Sequence, residues 1–317
     1  MIYDKEPLID ICVPVFGVEK YIERCATTLF EQTYGNIEYI FVNDQTPDKS
    51  WDILLDVLER YPHRKSQTKL LCHDVNRGIA AARKTALAHT NGQFVLWVDS
   101  DDYVDIHLID QVIQKQKEED FDIVTFDYNV IYIDHIEYVK QAHFDCKKDR
   151  TISLLERRSP VSLWSGLHKL SLYKDYDISF EEGIDYGEDY GVTTILSYYA
   201  NKIGYIDRNL YNYVKTNDHS YTNSFSQKQS EQGWHEISKL AKFFQDKGQE
   251  YIDAINYSKL DFLRSSIKMC IKERQNDYCQ VLLKRLKGID KRYWRKLPLK
   301  KRLYLSFVYY YNILTHM

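Results

Sequence analysis

The sequence predicts an α/β protein, a doubly wound and mostly parallel sheet followed by a helical C-terminal region. From Leu8 to Tyr128, short β-branched apolar runs alternate with segments whose apolar residues recur at helical spacing. The intervening helices are about ten to fifteen residues long, which lets a chain cross over and lay its next strand parallel to the last. From Gln227 onward the pattern turns almost wholly helical.

In chain order, Leu8 to Phe16 (LIDICVPVF) reads as the first strand. Val18 to Thr33 reads as a helix, because Tyr21, Ile22, Cys25, Leu29 and Phe30 share one face. The unit then repeats: Ile37 to Asn43 as strand, Ser50 to Tyr61 as helix, Lys69 to His73 as strand, Gly78 to His89 as helix, Gln93 to Val98 as strand and Ile106 to Glu119 as helix. Phe121 to Tyr128 is a fifth strand. Beyond Val130, Ile131 to Phe144 fits a hairpin, while Leu154 to Tyr173 and Glu188 to Tyr199 fit helices. Trp234 to Phe244, Tyr251 to Ile271 and Tyr278 to Leu286 are the helices of the last region. A domain change is expected near residue 225, giving domains 1–225 and 226–317.

With 44% hydrophobic and 28% charged residues, and only 12 Gly and 6 Pro, the 317-residue chain is neither fibrous nor disordered. No stretch reaches the ~18 uninterrupted apolar residues of a membrane-crossing helix. The N-terminus carries two acids before the first apolar run, so no signal peptide is expected there. Six cysteines without a CxxC pair fit reduced thiols in a cytosolic protein. An aromatic share of 14% is high and suits half-buried surfaces with polar tips, as at sugar sites or membrane interfaces. The net charge of −3 hides an asymmetry: Lys284 to Arg302 holds ten Lys or Arg against the single acid Asp290, a net +9, which leaves the rest of the chain at −12.

Ligands of an open parallel sheet bind at the carboxyl ends of its strands. There the sequence places Pro14-Val15-Phe16, then Asn43-Asp44-Gln45, then Asp99-Ser100-Asp101-Asp102. No GxGxxG follows the first strand, so a dinucleotide cradle is absent. Three carboxylates within four residues repel one another unless something positive sits among them, and Mg²⁺ or Mn²⁺ suits oxygen ligands that leave positions open for diphosphate. The other reading of the cluster is a solvated turn that caps the next helix.

The segment from Ile9 to Tyr128 closely resembles the family 2 glycosyltransferases, which have the GT-A fold and use nucleotide sugars. The matching stretches are Val13 to Tyr21, Glu31-Gln32-Thr33, Val42-Asn43-Asp44, Asn76-Arg77-Gly78 with Ala81-Ala82-Arg83, and Val98 to Tyr103; Tyr186-Gly187-Glu188-Asp189 adds a further match. The resemblance implies that Pro14, Phe16 and Glu19 frame the nucleoside, with Phe16 near the base, and that Asp44 binds the uracil or ribose edge. It places Arg77 near the base or diphosphate, Asp99 and Ser100 at the ribose and metal, and Asp101 as the principal ligand of Mn²⁺ or Mg²⁺. Glu188 and Asp189 match the family's acidic pair, the second being the general base. The chain departs from the pattern at Gly17, where Asn is frequent, at Ile106, where Pro often stands, and at Gln45 in place of a turn glycine.

Structural readings stand beside these. Asp44 could cap the helix beginning near Asp48 or Ser50, Arg77 could pair with a surface acid, and Glu188 could be a helix-start residue. Trp164, His168 and Lys169 fit either substrate contact or core. The expected activity is inverting transfer from a UDP-sugar to a hydroxyl of a glycan or lipid-linked acceptor, giving a β-linkage in surface polysaccharide assembly. A nucleotidyltransferase and a non-catalytic nucleotide-binding scaffold are the rival readings. The basic tract runs into an aromatic-aliphatic segment from Leu303, which predicts peripheral attachment through residues 284–317 to the inner face of the membrane and no nucleic-acid partner. The alternative is a last helix packed on the catalytic domain.

Overall fold

The computed structural model describes residues 6–216 and 226–315, with side chains up to residue 307. The expected boundary near residue 225 lies at the edge of 217–225, outside the described residues. The first strands and helices alternate as β1 (Ile9–Val15), α1 (Ile22–Phe30), β2 (Ile37–Asn43), α2 (Ser50–Arg60), β3 (Thr68–Cys72), α3 (Ile79–Ala88) and β4 (Phe94–Trp97). There follow β5 (Tyr103–Val104), α4 (Leu108–Glu119), β6 (Ile123–Ile131), β7 (Ile136–Val139), α5 (Lys147–Leu155), β8 (Gly166–Lys169), α6 (Leu170–Asp175), α7 (Glu188–Tyr199) and β9 (Ile203–Val214). The last region holds α8 (Gln227–Phe243), α9 (Gln249–Lys272), α10 (Asn276–Lys287) and α11 (Leu299–Thr315).

The strands join in one sheet of order β3-β2-β1-β4-β8-β6-β9-β5, with β7 paired to β6. β1, β2, β3 and β4 are mutually parallel, as the crossover spacing predicts. Beyond β4 the sheet is mixed: β8 runs antiparallel to both β4 and β6, while β6 and β9 are parallel. The period-2 alternation of β1 shows why both faces are covered. Ile9, Ile11, Val13 and Val15 pack under α1, α2 and α4, whereas Cys12 joins α3, α6 and α7 on the opposite face. Each such fully buried aliphatic side chain contributes about 1.5–3 kcal/mol.

Two expectations are corrected. Leu154 to Tyr173 is not one helix: α5 stops at Leu155, Arg157 takes a positive φ, and the chain re-emerges as β8 and α6. Pro160 lacks an N–H and disfavours the helical state of Ser159, which ends any continuous helix there. The hairpin starts earlier than Ile131, with Tyr128 to Ile131 of β6 already paired to Ile136 to Val139 of β7.

By internal contacts the chain divides into two units, one comprising residues 1–151 and 159–223, the other 152–158 and 224–317. The second unit has its own core, in which Leu260, Leu263 and Ile267 of α9 meet Leu282 and Leu286 of α10 and Leu305 of α11. The tail therefore packs, as far as it is described, on a helix of its own unit.

Candidate active site

The carboxyl ends of β1 and β2 are tied together by hydrogen bonds. The amides of Gly17, Val18 and Glu19 donate to Thr46 Oγ1 (2.9 Å), Ser50 Oγ (2.8 Å) and Asp48 Oδ2 (3.1 Å). Asp48 also accepts from the Ser50 amide at the first position of α2, so it, and not Asp44, meets the start of that helix. Burial would raise the Asp48 pKa, but the hydrogen bonds from Ser50 and Thr46 outweigh it and hold the carboxyl below its ordinary value. Glu19 is exposed and accepts from the Lys49 amide at 3.2 Å. Phe16 is exposed at the edge, whereas Pro14 is buried within β1. Gln45 takes the left-handed conformation itself (φ 54°), so the loop keeps the turn that a glycine would make.

Asp44 is buried and holds the loop ahead of α3. Its Oδ1 contacts His73 Nδ1 (2.6 Å) and accepts the Arg77 amide (2.9 Å), while Oδ2 accepts the Gly78 amide (2.8 Å). Arg77 makes a two-pronged pair with Glu182, both contacts at 2.9 Å, in half-exposed surroundings. At Gly78 (φ 92°) a Cβ would stand 2.3 Å from Asp185 Oδ1, and that same oxygen accepts the Ala80 amide at 3.2 Å.

Helix α3 then brings in the residue that sequence reasoning left without a role. Ala80, Ala81, Ala82 and Ala86 are buried and small enough for α3 to lie close on the sheet, and Arg83 sits among them with 2% of its surface exposed. Its Nη2 donates to Asp99 (2.9 Å), and its Nη1 donates to Glu188 (2.5 Å) and to Asp189. Its Nε has no partner among the described residues. The three acids arrive from β4 and from the first turn of α7, where Gly187 (φ 91°) turns the chain into the helix and the helix N-terminus favours negative charge.

Burial pushes the Glu188 carboxyl well above its ordinary pKa; the negative Asp189 adds to this and Arg83 opposes it. Asp189 is likewise raised, by burial first, then pulled back by Arg83 and pushed up again by Asp99. Burial would lower the Arg83 pKa, but Asp189, Asp99 and Glu188 outweigh it, so the guanidinium stays charged. One cation thus faces three carboxylates, a site that readily holds a proton. Asp189 keeps 21% of its side chain open against 10% for Glu188, so of the two Asp189 is the more accessible to a reactant.

The Asp99-to-Asp102 turn divides its carboxylates between tasks. Asp99 gives one oxygen to Arg83 and keeps 25% of its side chain exposed. Asp102 is buried and turns away from the edge, accepting from Tyr211 (2.7 Å) and from the Val214 amide (2.7 Å) on β9. Burial and then the charges of Asp101 and Asp99 raise its pKa well above the usual range. Ser100 is buried; Asp101 is partly exposed. Among the described residues, Asp99, Asp101 and Asp102 do not close into a cage of three ligands. Asp99 and Asp101 remain as hard oxygen donors at an open edge, which fits a divalent cation completed by substrate oxygens. The positive partner that the cluster demands is nonetheless supplied in part by the chain's own Arg83.

Trp164 belongs to the core. It stacks on Tyr211 (4.4 Å between centroids) and Tyr213 (5.5 Å) and meets Tyr128 edge-on. His168 is buried beside Tyr173, and desolvation drives its pKa down to about 3, so it is neutral. Lys169 pairs with Asp122 (3.2 Å) and lies opposite Phe94, at the far end of β4 from the acids.

A GT-A sheet with acids gathered at its carboxyl edge defines the class, and the chain belongs to glycosyl transferase family 2, whose family model matches residues 10–175. It is 30% identical over 223 residues to the uncharacterized glycosyltransferase EpsJ of Bacillus subtilis (strain 168), an alignment covering 68% of this chain and 63% of that protein. With glycosyltransferase GlyA of Streptococcus pneumoniae serotype 4 it shares 29% identity over 220 residues, 65% of this chain and 30% of that one. The matches thus span under two thirds of these relatives' lengths. Among solved structures, S. aureus TarS 1-349 in complex with UDP-GlcNAc superposes with a TM-score of 0.60 at 22% identity, covering 82% of this chain and 81% of that one. The mannosyltransferase PcManGT from Pyrobaculum calidifontis, in complex with GDP-Man and Mn²⁺, gives 0.58 at 15% identity over 96% and 86%. At these identities the likeness concerns the fold.

Proposed function

We propose that this protein is an inverting glycosyltransferase that moves a sugar from a UDP-sugar to a hydroxyl of a glycan or lipid-linked acceptor in bacterial surface polysaccharide assembly, at the inner face of the membrane. Family membership supports the reaction class, and the gathering of Asp99, Glu188 and Asp189 around Arg83 is the observation that carries the reading. Pro14, Phe16, Glu19 and Asp44 border the nucleoside side of the edge, with Asp44 acting through the loop amides it holds. Arg77, free to leave its exposed pair with Glu182, is the cation available to a diphosphate there.

The acceptor oxygen attacks the anomeric carbon as the bond to the nucleoside diphosphate breaks; the acceptor proton passes to Asp189 and the electron pair leaves with the diphosphate. An ordinary aspartate is a weak base, and a carboxylate raised by burial is a better one. Arg83 aims Asp189 and prevents the pair from becoming fully protonated. Asp101 and Asp99 would hold Mn²⁺ or Mg²⁺, which would supply positive charge to the departing diphosphate. Asp189→Asn should leave UDP-sugar affinity near that of the parent while lowering UDP release to acceptor by roughly 10²-fold or more. Near-normal turnover in that variant would remove Asp189 from the role of base.

A further inference from the structure

Up to residue 307, helix α11 presents an exposed apolar stripe. Leu299, Leu303 and Phe307 are 59%, 59% and 66% exposed. At about 100° per residue they fall within one narrow sector of the helix. Leu305, fully buried, and Lys301, paired with Asp261 of α9 at 2.9 Å, occupy the opposite side and fix the helix's orientation in its unit.

Nine of the ten basic residues from Lys284 to Arg302, all but Lys291, fall into two sets. Arg285, Arg292, Lys296 and Lys301 are paired with Glu231, Asp290, Asp253 and Asp261. Lys284, Lys287, Arg295, Lys300 and Arg302 make no ion pair with a described residue, and Lys300 and Arg302 flank the apolar stripe on either side. The first set is spent on the unit's own acids, so only the second is available to an outside anion.

We propose that the Leu299-Leu303-Phe307 face of α11 is the surface by which the second unit lies on an anionic lipid bilayer, the stripe entering the headgroup boundary and Lys300 and Arg302 meeting lipid phosphates beside it. This rests on the membrane-side function proposed above and names the face responsible. An apolar sector flanked by cations is the form of a helix lying in the interface, and no helix among the described residues is long and apolar enough to cross a membrane. A second copy of the chain fits less well, since joining two such faces would set their unpaired cations against each other. Nucleic acid would use the cations but not the exposed Leu and Phe side chains.

The test is cosedimentation of the full chain with vesicles of phosphatidylcholine, alone or mixed with phosphatidylglycerol, together with UDP-sugar hydrolysis of each variant. Leu299→Ser/Leu303→Ser/Phe307→Ser and, separately, Lys300→Glu/Arg302→Glu should each weaken binding to the anionic vesicles at least about tenfold, since one cation near such a surface is worth roughly fivefold. Added salt should release the parent, and hydrolysis should be unchanged because these residues belong to the second unit and the acids to the first. Equal sedimentation of parent and both variants would overturn the proposal. So would a parent that is dimeric without lipid and made monomeric by the triple substitution, which would assign the stripe to self-association. Vesicle binding by a parent that hydrolyses no UDP-sugar would instead count against the enzymatic reading while leaving the face in place.

Discussion

Replacing Arg83 with Met probes the centre of the site. The substitution keeps much of the aliphatic volume but removes the cation to which Asp99, Glu188 and Asp189 all accept. Removing one partner of a buried ion pair costs about 3–5 kcal/mol. Proton uptake by the stranded acids limits the loss, because neutralising a buried charge costs less than keeping it. The sign with pH follows. Glu188 and Asp189 already have raised pKa values, from burial first, and Arg83 is the group that lowers them, so both rise further in the variant. A carboxyl with a raised folded pKa contributes stability at low pH that is lost as pH climbs through that pKa. The deficit should therefore be largest under alkaline conditions and shrink in acid. For a domain of roughly 150–250 residues 1 kcal/mol moves the melting temperature by about 2–4 °C, so the variant should melt roughly 6–20 °C below the parent at about pH 8. Differential scanning fluorimetry at about pH 5 and pH 8 measures it. A deficit independent of pH would refute the charge argument, and no deficit would refute the burial of Arg83 among the acids.

Asp10 lies buried at the start of β1, where desolvation first, and the negative Glu38 after it, raise its pKa to about 7 against the pull of the Gly92 amide. Asp10→Asn should raise the melting temperature at pH ~8, by an amount worth up to about 4 kcal/mol, and leave it unchanged at pH ~4, where both side chains are neutral; equal gains at both pH values would contradict this. Gly78→Ala places a Cβ against Asp185 in a backbone region open essentially to glycine only, so chemical denaturation should show a loss of about 1–3 kcal/mol. A variant as stable as the parent would mean that the loop before α3 is not held as described.

The parallel part of the fold was legible because each of its strands is a short, mostly apolar run bounded by turn residues, as in Ile9 to Val15, where all seven positions are buried and only Asp10 is charged. β8 was not, since Gly166-Leu167-His168-Lys169 has neither β-branched residues nor alternation and gains its place only by pairing with β4 and β6. β9 escaped notice for another reason. Its pairing with β6 jumps from Ile206 to Asn209, and the skipped Asp207 and Arg208 interrupt the two-residue period. At the site, the acids were readable as motifs, but Arg83 looked like one cation in an alanine-rich helix. Its partners Glu188 and Asp189 lie 105 and 106 residues away, and no local pattern records that meeting. The same holds for Trp164, whose stacking partners Tyr211 and Tyr213 come from the strand that went unseen.

The excursion of residues 152–158 into the second unit bears on how this chain can be cut or recombined. The polypeptide passes from one unit to the other after residue 151, returns after 158 and leaves again after 223. The helical unit is thus not a cassette attached to the end of a finished first unit. A chain terminated at 223 would keep Arg157 but lose Phe262, over whose ring the guanidinium stands at 5.9 Å. Chimeras between relatives would need to carry 152–158 together with the C-terminal helices, and changes in one stretch are tied to changes in the other across more than 60 residues of intervening chain.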